Sequence, residues 1–419
     1  MPALVCSVCH TSYASNDQRT ICDCGGLLSV EHDLTAVNGR ELRRTFDRRW
    51  ASRAGAAGSG VWRYRELVGD FRLPITRPEG NTNLYASPAI ARWTGCSNLL
   101  LKHEGENPSG SFKDRGMTVG VTQAVAVRAK AVVCASTGNT SSSLASYAAL
   151  AGLPCIVFIP LGKVAAGKLA QSIAYGARVI QIEGDFDAAL SVARDACRDM
   201  GLYLLNSINP WRLEGQKSII FELIQQLGWT VPDWIVLPGG NLGNTSAFGK
   251  ALRELKAVGI ISRLPRLAVI QAQGANPFYQ AFRCGFNSFR PVTAHTIATA
   301  INIGHPANYP RARRAIEETD GIVDEVGDDD ILAAKAVVDR AGIGCEPASA
   351  ATVAGVRKLV YAGTIKPGDT VVGILTGHLL KDPETAVTYH MQHGGQPVVV
   401  AAETSSVRQL LMTLIPPGS

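Results

Sequence analysis

Residues 107–116, which read NPSGSFKDRG, place Lys113 at the junction of a loop and a helix. Pro108 and Gly110 favour turns. The residues that follow, GMTVGVTQAVAVRA (116–129), are small and apolar and predict a buried helix. A lysine at such a junction has two interpretations: a solvated surface charge or the reactive amine of an enzyme. The choice between these two interpretations depends on the sequence in the rest of the chain.

Short apolar stretches alternate with helical stretches from about residue 98 onward. The predicted strands are NLLLKHE (98–104), AVVCAST (131–137), PCIVFIP (154–160), ARVIQIEG (177–184), GLYLLNS (201–207), DWIVLPGG (233–240), RLAVIQAQ (266–273) and DTVVGILTG (369–377). The predicted helices between them include SSSLASYAALAG (141–152), AAGKLAQSIAYG (165–176), DFDAALSVARDACRDM (185–200), QKSIIFELIQQLG (216–228) and TSAFGKALRELKAVG (245–259). Continuously apolar strands that alternate with helices are typical of parallel sheets covered on both faces.

We therefore expect an α/β fold with two lobes, each a mostly parallel sheet flanked by helices. In such a fold the site should lie between the lobes, at the carboxyl ends of strands. The predicted segments are a small cysteine-bearing N-terminal ribbon (1–33), a wrapping segment (34–97), a first α/β lobe with Lys113 (98–215), a second α/β lobe with a glycine-rich loop (216–390) and a C-terminal tail (391–419).

The composition excludes several classes of protein. The 419-residue chain is 46% hydrophobic and 18% charged, which is ordinary for a soluble globular enzyme. Its formal charge of +6 is small and spread along the chain, so we expect no nucleic-acid partner. The sequence contains no apolar run of about 18 residues, so we expect no transmembrane helix. The N-terminus has no secretion-signal pattern. We expect a cytoplasmic protein whose ten cysteines are mostly not in disulfides.

Four of the cysteines are close together at the N-terminus: Cys6, Cys9, Cys22 and Cys24. Four thiolates at this spacing predict a tetrahedral structural zinc site, and a segment this small needs such a cross-link to fold. The second pair is C-x-C rather than C-x-x-C, so free thiols remain the alternative. Arg19 is the only Arg or Lys in residues 1–33, which disfavours a nucleic-acid-binding ribbon.

Two loops that follow predicted strands carry polar or glycine-rich sequence. In the first, Ser136, Thr137, Asn139 and Thr140 surround a glycine before a helix, where exposed N–H groups attract an anion such as a carboxylate. An ordinary capped helix is the alternative interpretation.

The second loop, PGGNLGN (238–244), has the features of a phosphate cradle, because glycines let backbone N–H groups approach an anion at a helix start. It is neither a P-loop nor a dinucleotide fingerprint, so a single phosphate monoester fits it better. A simple glycine turn remains the alternative.

Six stretches in one order resemble the fold-type-II family of pyridoxal-phosphate enzymes, and within it the threonine synthases. They are NPSGSFKDRG (107–116), STGNTSSS (136–143), NSINPWRLEGQK (206–217), PGGNLGN (238–244), EPASAA (346–351) and TGHLLKDP (376–383). The stretch GVWRYREL (60–67) and the cysteine-bearing N-terminus are also similar to threonine-synthase relatives. With this resemblance, the surface-charge interpretation of Lys113 becomes the weaker one.

The resemblance assigns roles by position. It implies that Lys113 forms a Schiff base with pyridoxal phosphate, that Asn139 bonds the phenolic oxygen of that cofactor, and that Thr376 meets its ring nitrogen. The cofactor phosphate would be held by Gly240, Asn241, Leu242, Gly243 and Asn244. The substrate would be bound by Ser136, Thr137 and Thr140, and its distal phosphate by Asn206, Ser207 and Arg212.

The implied activity is conversion of O-phospho-L-homoserine and water to L-threonine and phosphate, by a homodimer. A threonine dehydratase and a phosphoserine-using enzyme similar to cysteate synthase remain alternatives. The stretch NSINPWR (206–212) disfavours the dehydratase, whose substrate has no distal phosphate, but it does not separate the two phosphorylated substrates. A non-catalytic zinc-ribbon protein with an inactive enzyme body is a further alternative. The intact lysine and the phosphate loop argue against it.

Overall fold

The computed structural model describes residues 2–52, 54–162, 166–184 and 186–414. The first residues of two predicted helices, Ala165 and Asp185, and the last five residues of the predicted tail lie outside this part of the chain. The chain up to Asp382 forms one compact unit, and a second unit begins at Pro383. No helix in the described residues is long and apolar enough to cross a membrane.

The strands are β1 (Ala3–Cys6), β2 (Ser12–Ala14), β3 (Leu28–Glu31), β4 (Leu84–Ala86), β5 (Leu99–His103), β6 (Val132–Ala135), β7 (Cys155–Pro160), β8 (Arg178–Ile182), β9 (Tyr203–Leu204), β10 (Trp234–Pro238), β11 (Arg266–Ala272), β12 (Ile322–Val326) and β13 (Val371–Leu375). The helices are α1 (Gly39–Ser52), α2 (Arg65–Val68), α3 (Pro88–Thr94), α4 (Lys113–Ala126), α5 (Asn139–Ala151), α6 (Ala166–Ala174), α7 (Phe186–Met200), α8 (Pro210–Gln226), α9 (Gly243–Ala257), α10 (Pro277–Arg283), α11 (Tyr309–Glu318), α12 (Asp328–Arg340), α13 (Pro347–Tyr361), α14 (Pro383–Gln392) and α15 (Thr404–Leu414).

The predicted pair of mostly parallel sheets is confirmed. The smaller sheet has the order β8-β7-β6-β9 and is parallel throughout. The larger has the order β12-β11-β10-β13-β5-β4, and only β4 runs antiparallel. All five residues of β10 are buried, as expected for a central strand covered on both faces.

The predicted boundary between the lobes needs one correction. Strand β5 was assigned to the first lobe, which was taken to begin at residue 98. It pairs instead with β13 in the larger sheet, with Leu99 opposite Val371. The reason is that the order of strands in a parallel sheet is set by crossover connections rather than by neighbourhood in sequence. Lys113 therefore follows a strand of the larger sheet and lies between the two sheets.

The N-terminal ribbon is a three-stranded antiparallel sheet with the order β2-β1-β3. Its inward residues Leu4, Leu28 and Val30 are fully buried and belong to the same core cluster as Leu213 of α8 and Ala247 of α9. The ribbon therefore packs against α8 and α9 through its own apolar face.

Candidate active site

Lys113 is the first residue of α4, and two backbone contacts tie its turn to the end of β13. The amide of Phe112 donates to the carbonyl of Thr376 at 3.0 Å, and Ser111 forms a bridge with Gly377. Gly377 has no room for a side chain, because a Cβ there would lie 2.4 Å from the carboxyl carbon of Glu346. These contacts bring the predicted lysine and the predicted hydroxyl, Thr376, to one place.

The electrostatic environment of Lys113 suits a reactive amine. Burial, aided by the cationic Arg212, lowers the pKa of Lys113 to about 7, and Glu346 opposes this shift. An ordinary lysine has a pKa of about 10.4 and is almost wholly protonated at neutral pH. Here a substantial fraction of the amine is neutral, which a base or nucleophile requires.

Glu346 joins two of the predicted cofactor-binding residues, and the sequence analysis gave it no role. Its carboxylate accepts from Asn139 Nδ2 at 2.9 Å and from Thr376 Oγ1 at 3.2 Å. Burial raises the pKa of this carboxyl group. Glu346 occupies the N-cap of α13 but its side chain makes no capping bond. A glutamate just before a small, apolar helix was the signal in the sequence that could have identified it.

The residues of the predicted cradle lie in the loop between β10 and α9. Helix α9 begins at Gly243, so the N–H groups of its first turn have no preceding turn to bond. Leu242 has a φ of 59°, a left-handed conformation that is strained for a branched residue and is common at ligand-binding loops. In the described part of the chain, the buried hydroxyl of Thr245 has no hydrogen-bond partner. Thr245 was not predicted, although a threonine in the first turn after this loop was a visible signal.

The loop before α5 and the loop before α8 contain the predicted substrate-binding residues. Ser136, Thr137 and Thr140 are half-buried at the start of α5. The amide of Asn206 is already engaged, since it donates to the carbonyl of Ala135 at 2.9 Å and accepts from its N–H at 3.0 Å. Asn206 therefore fixes the end of β6 against the loop before α8. A substrate that also bonded the Asn206 amide would have to do so alongside these two bonds to Ala135.

Arg212 is fully buried, and within the described residues its guanidinium makes one hydrogen bond, from Nη1 to the carbonyl of Leu205 at 3.0 Å. Within the described residues its Nε and Nη2 have no partner. Burial lowers the pKa of Arg212 to about 10. A buried guanidinium with two unused donor nitrogens is costly unless an anion completes it, so the geometry supports an anion site here.

Helix α8, which contains Arg212, packs against both α4 and α9. A Cβ at Gly116, on the helix of Lys113, would lie 3.0 Å from the carbonyl oxygen of Arg212. One turn further along α8, Gln216 Oε1 would lie 3.4 Å from a Cβ placed at Gly243, the first residue of α9. Helix α8 therefore places the backbone of Arg212 against the helix of Lys113, and Gln216 against the first residue of α9.

The four N-terminal cysteines form a separate candidate metal centre. Their sulfur atoms all lie within 4.8 Å of one another, with Cys6–Cys24 and Cys9–Cys22 separations of 3.5 Å. Tetrahedral zinc with Zn–S bonds of about 2.3 Å needs S–S separations of about 3.8 Å, which a small adjustment reaches. All ten cysteines are free thiols, so no disulfide competes for these ligands in the described residues.

Comparison with known proteins agrees with this geometry. The family model described as "Pyridoxal-phosphate dependent enzyme" matches residues 75–377. The threonine synthase of Methanosarcina acetivorans is 46% identical over 412 residues, which cover 97% of this chain and 98% of that protein. The threonine synthase of Methanocaldococcus jannaschii is 43% identical over 413 residues, which cover 98% and 99%.

Among solved structures, threonine synthase from Escherichia coli has a TM-score of 0.74 and covers 99% of this chain and 100% of that one. At 17% identity this likeness shows the fold alone. A processed threonine deaminase from Solanum lycopersicum has a TM-score of 0.65 at 19% identity, covering 87% and 96%.

Proposed function

The chain belongs to the pyridoxal-phosphate-dependent enzymes and, among them, to the threonine synthases, and we propose that the site described above converts O-phospho-L-homoserine and water to L-threonine and phosphate. One observation carries the choice of a substrate with a distal phosphate, namely the buried guanidinium of Arg212, whose Nε and Nη2 are unpaired within the described residues. An amino acid without a distal phosphate would leave that cation uncompensated.

The residues present fit pyridoxal phosphate. The loop from Gly240 to Asn244 and the buried hydroxyl of Thr245 after it would offer donors to a phosphate, while Asn139 and Thr376 both bond Glu346, which also acts on Lys113. When bound, the cofactor draws electron density from the carbon atoms next to the substrate amine. Thr376 would offer the ring nitrogen a hydroxyl rather than a carboxylate, which favours elimination and replacement over transamination.

Lys113 would move the protons. The overall reaction removes one proton from Cα and one from Cβ, breaks the Cγ–O bond, and releases phosphate with the bonding pair. Water then adds its oxygen to Cβ, protons return to Cγ and Cα, and the remaining proton leaves with phosphate. A neutral amine with a pKa of about 7 can both accept and donate these protons at neutral pH.

The binding residues would orient the two ends of the substrate. Ser136, Thr137 and Thr140, at the positive end of α5, suit the α-carboxylate. Arg212, with Asn206 and Ser207 beside it, would hold the distal phosphate through two donor nitrogens and balance its charge as it leaves.

Direct assay of the purified enzyme tests this function. Phosphate and threonine should appear in equal amounts from O-phospho-L-homoserine, and phosphoserine and threonine should be poor substrates. Arg212 could bind the phosphate of either substrate, so the assay has to separate them. Turnover of phosphoserine at a greater kcat/KM than phosphohomoserine would refute the proposed substrate.

We also propose a structural zinc ion bound by Cys6, Cys9, Cys22 and Cys24, supported by the clustering of their sulfur atoms. One zinc per chain should be measured by elemental analysis, and Cys9→Ser with Cys24→Ser should abolish it. Zinc retained by that double variant would contradict the ligand set.

The assembly and the compartment are proposals too. A homodimer in the cytoplasm, with no nucleic-acid or membrane partner, is consistent with the family resemblance and with ten free thiols. Sedimentation equilibrium tests the dimer, and a monomer at micromolar concentration would overturn it.

A further inference from the structure

A short segment before α11 lies between the two predicted phosphate-binding loops. Asn308 is the N-cap residue of α11 and is fully buried. Its Nδ2 donates to the carbonyl of Ser207 at 3.2 Å and to the carbonyl of Asn241 at 3.2 Å. Ser207 belongs to the loop assigned to the substrate phosphate, and Asn241 to the loop assigned to the cofactor phosphate. One side-chain amide therefore spans both loops.

The chemistry of a primary amide suits this position. Asparagine has two N–H donors on one nitrogen, so it can serve both carbonyl oxygens at once, and its own oxygen stays available as an acceptor. The neighbouring backbone adds a second contact, since the N–H of Ala307 donates to Asn241 Oδ1 at 3.0 Å. Aspartate would present oxygen to two carbonyl oxygens, and alanine would leave both carbonyls without this partner.

The acceptor oxygen of Asn308 continues the contact toward the N-terminal ribbon. Arg311 Nη1 donates to Asn308 Oδ1 at 3.1 Å, and Arg311 Nη2 donates to the carbonyl of Leu28 in β3. Leu28 is the cross-strand partner of Cys6, one of the four clustered cysteines. A continuous series of contacts thus runs from the cysteine cluster through Leu28, Arg311 and Asn308 to both loops.

The ribbon has other contacts with the catalytic body, and these provide a comparison. His32 Nε2 pairs with Glu214 Oε2 of α8 at 2.6 Å, and Lys250 Nζ donates to the carbonyl of Val30. Glu214 also pairs with Lys217 and Lys250, so these contacts connect the ribbon to a buried cluster of charged side chains. Asn308, in contrast, reaches the two loops directly.

We propose that Asn308 is a positioning residue that holds the substrate-phosphate loop and the cofactor-phosphate loop in register, and that Arg311 couples this contact to the N-terminal ribbon. The inference rests on the proposed function for the identity of the two phosphates. It follows that the ribbon, which is remote from the chemistry in sequence, influences the affinity of the site for phosphate.

The first experiment measures two dissociation constants for Asn308→Ala: that of inorganic phosphate, by calorimetry on the holoenzyme, and that of the cofactor, by absorbance titration of the apoenzyme. Loss of one net hydrogen bond to each loop should raise both constants about tenfold. Thr319→Val is the matched control. It removes a buried hydrogen bond of 2.7 Å at the other end of α11 and should lower stability without changing either constant. Unchanged constants in Asn308→Ala, or equal changes in Thr319→Val, would overturn the positioning role.

The second experiment tests the coupling. If Arg311 acts through Asn308, the double variant Asn308→Ala with Arg311→Met should bind phosphate no more weakly than Asn308→Ala alone. Cys6→Ser should weaken phosphate binding about threefold in the native background and not at all in Arg311→Met. His32→Gln, which removes the imidazole partner of Glu214, should preserve the Cys6→Ser effect. Additive effects of Asn308→Ala and Arg311→Met on phosphate binding would refute the coupling. It would also be refuted if Cys6→Ser had no effect on phosphate binding in the native background, or if its effect persisted in Arg311→Met.

These outcomes are separable from failure of the proposed function. An enzyme that does not turn over O-phospho-L-homoserine contradicts the proposed reaction. The effect of Asn308→Ala on cofactor affinity is independent of that substrate and still decides the positioning role.

Discussion

Replacement of Arg212 should lower activity and leave stability unchanged or higher. The residue is fully buried, and in the described structure its guanidinium bonds only the carbonyl of Leu205 and has two unpaired donor nitrogens. If both nitrogens bond the substrate phosphate, each charge-assisted bond contributes about 1.5–3 kcal/mol. Arg212→Met should therefore lower kcat/KM for O-phospho-L-homoserine by about two to four orders of magnitude. Because a buried unpaired charge destabilises the empty site, the same variant should unfold at an equal or higher temperature.

Arg212→Lys refines this prediction. Lysine keeps the charge but lacks the planar fork that bonds a phosphate at two points, so it should recover only a small part of the lost kcat/KM. Phosphate release measures the activity, and thermal unfolding of the same preparations measures the stability.

Arg115 supplies the matched control. It is also fully buried, but it bonds Glu104 through Nε at 2.6 Å and through Nη2 at 2.7 Å, and Glu222 through Nη2 at 2.8 Å. Arg115→Met should leave the buried carboxylate of Glu104 without its ion-pair partner, while Glu222 keeps Lys102, and should cost about 3–5 kcal/mol of stability. If Arg212→Met loses as much stability as Arg115→Met, Arg212 is structural and the reasoning is refuted.

The remaining predictions concern the lysine and its neighbours. Lys113→Ala should abolish the absorbance at the border of the visible and ultraviolet that bound cofactor gives to the native enzyme; a persisting band would contradict its covalent role. The kcat of the native enzyme should fall as pH decreases through about 7, because the Lys113 amine that substrate has displaced becomes protonated, and Arg212→Met should move this limb to higher pH by removing a cation; a limb that stays in place would argue against the electrostatic contact. Glu346→Gln should alter the pH dependence of the cofactor spectrum with little change in melting temperature, since the amide keeps a hydrogen-bonding group beside Asn139 and Thr376; an unchanged pH dependence would remove Glu346 from the site. Thr376→Asp should change the ratio of side products, and an unchanged product profile would count against the role of the hydroxyl.

The two sheets and the main loops could be predicted because their signals are local. Strands such as β10 are continuously apolar, and glycine-rich or hydroxyl-rich residues follow them directly. Helices α5 and α9 begin two residues earlier than predicted, which brings Asn139 and Gly243 into their first turns. The short strand β4 and the half-polar strand β12 were not predicted, since their sequences lack a continuous apolar pattern.

Residues whose role depends on distant contacts could not be identified from the sequence. Glu346 becomes part of the site only because β13 and the start of α5 converge on it. Asn308 bonds two loops that precede it by 101 and 67 residues, and no local pattern reports such a contact. The same reason explains the assignment of β5 to the wrong lobe, since its partner β13 lies far along the chain.

The most direct measurement of the central claim is the fate of oxygen in water labelled with heavy oxygen. If the Cγ–O bond breaks and water adds at Cβ, one labelled oxygen should appear in the hydroxyl group of threonine and none in the phosphate that is released. Label in the phosphate, with homoserine as the organic product, would show simple phosphate-ester hydrolysis and contradict the account of Lys113 and Arg212 acting together in one site.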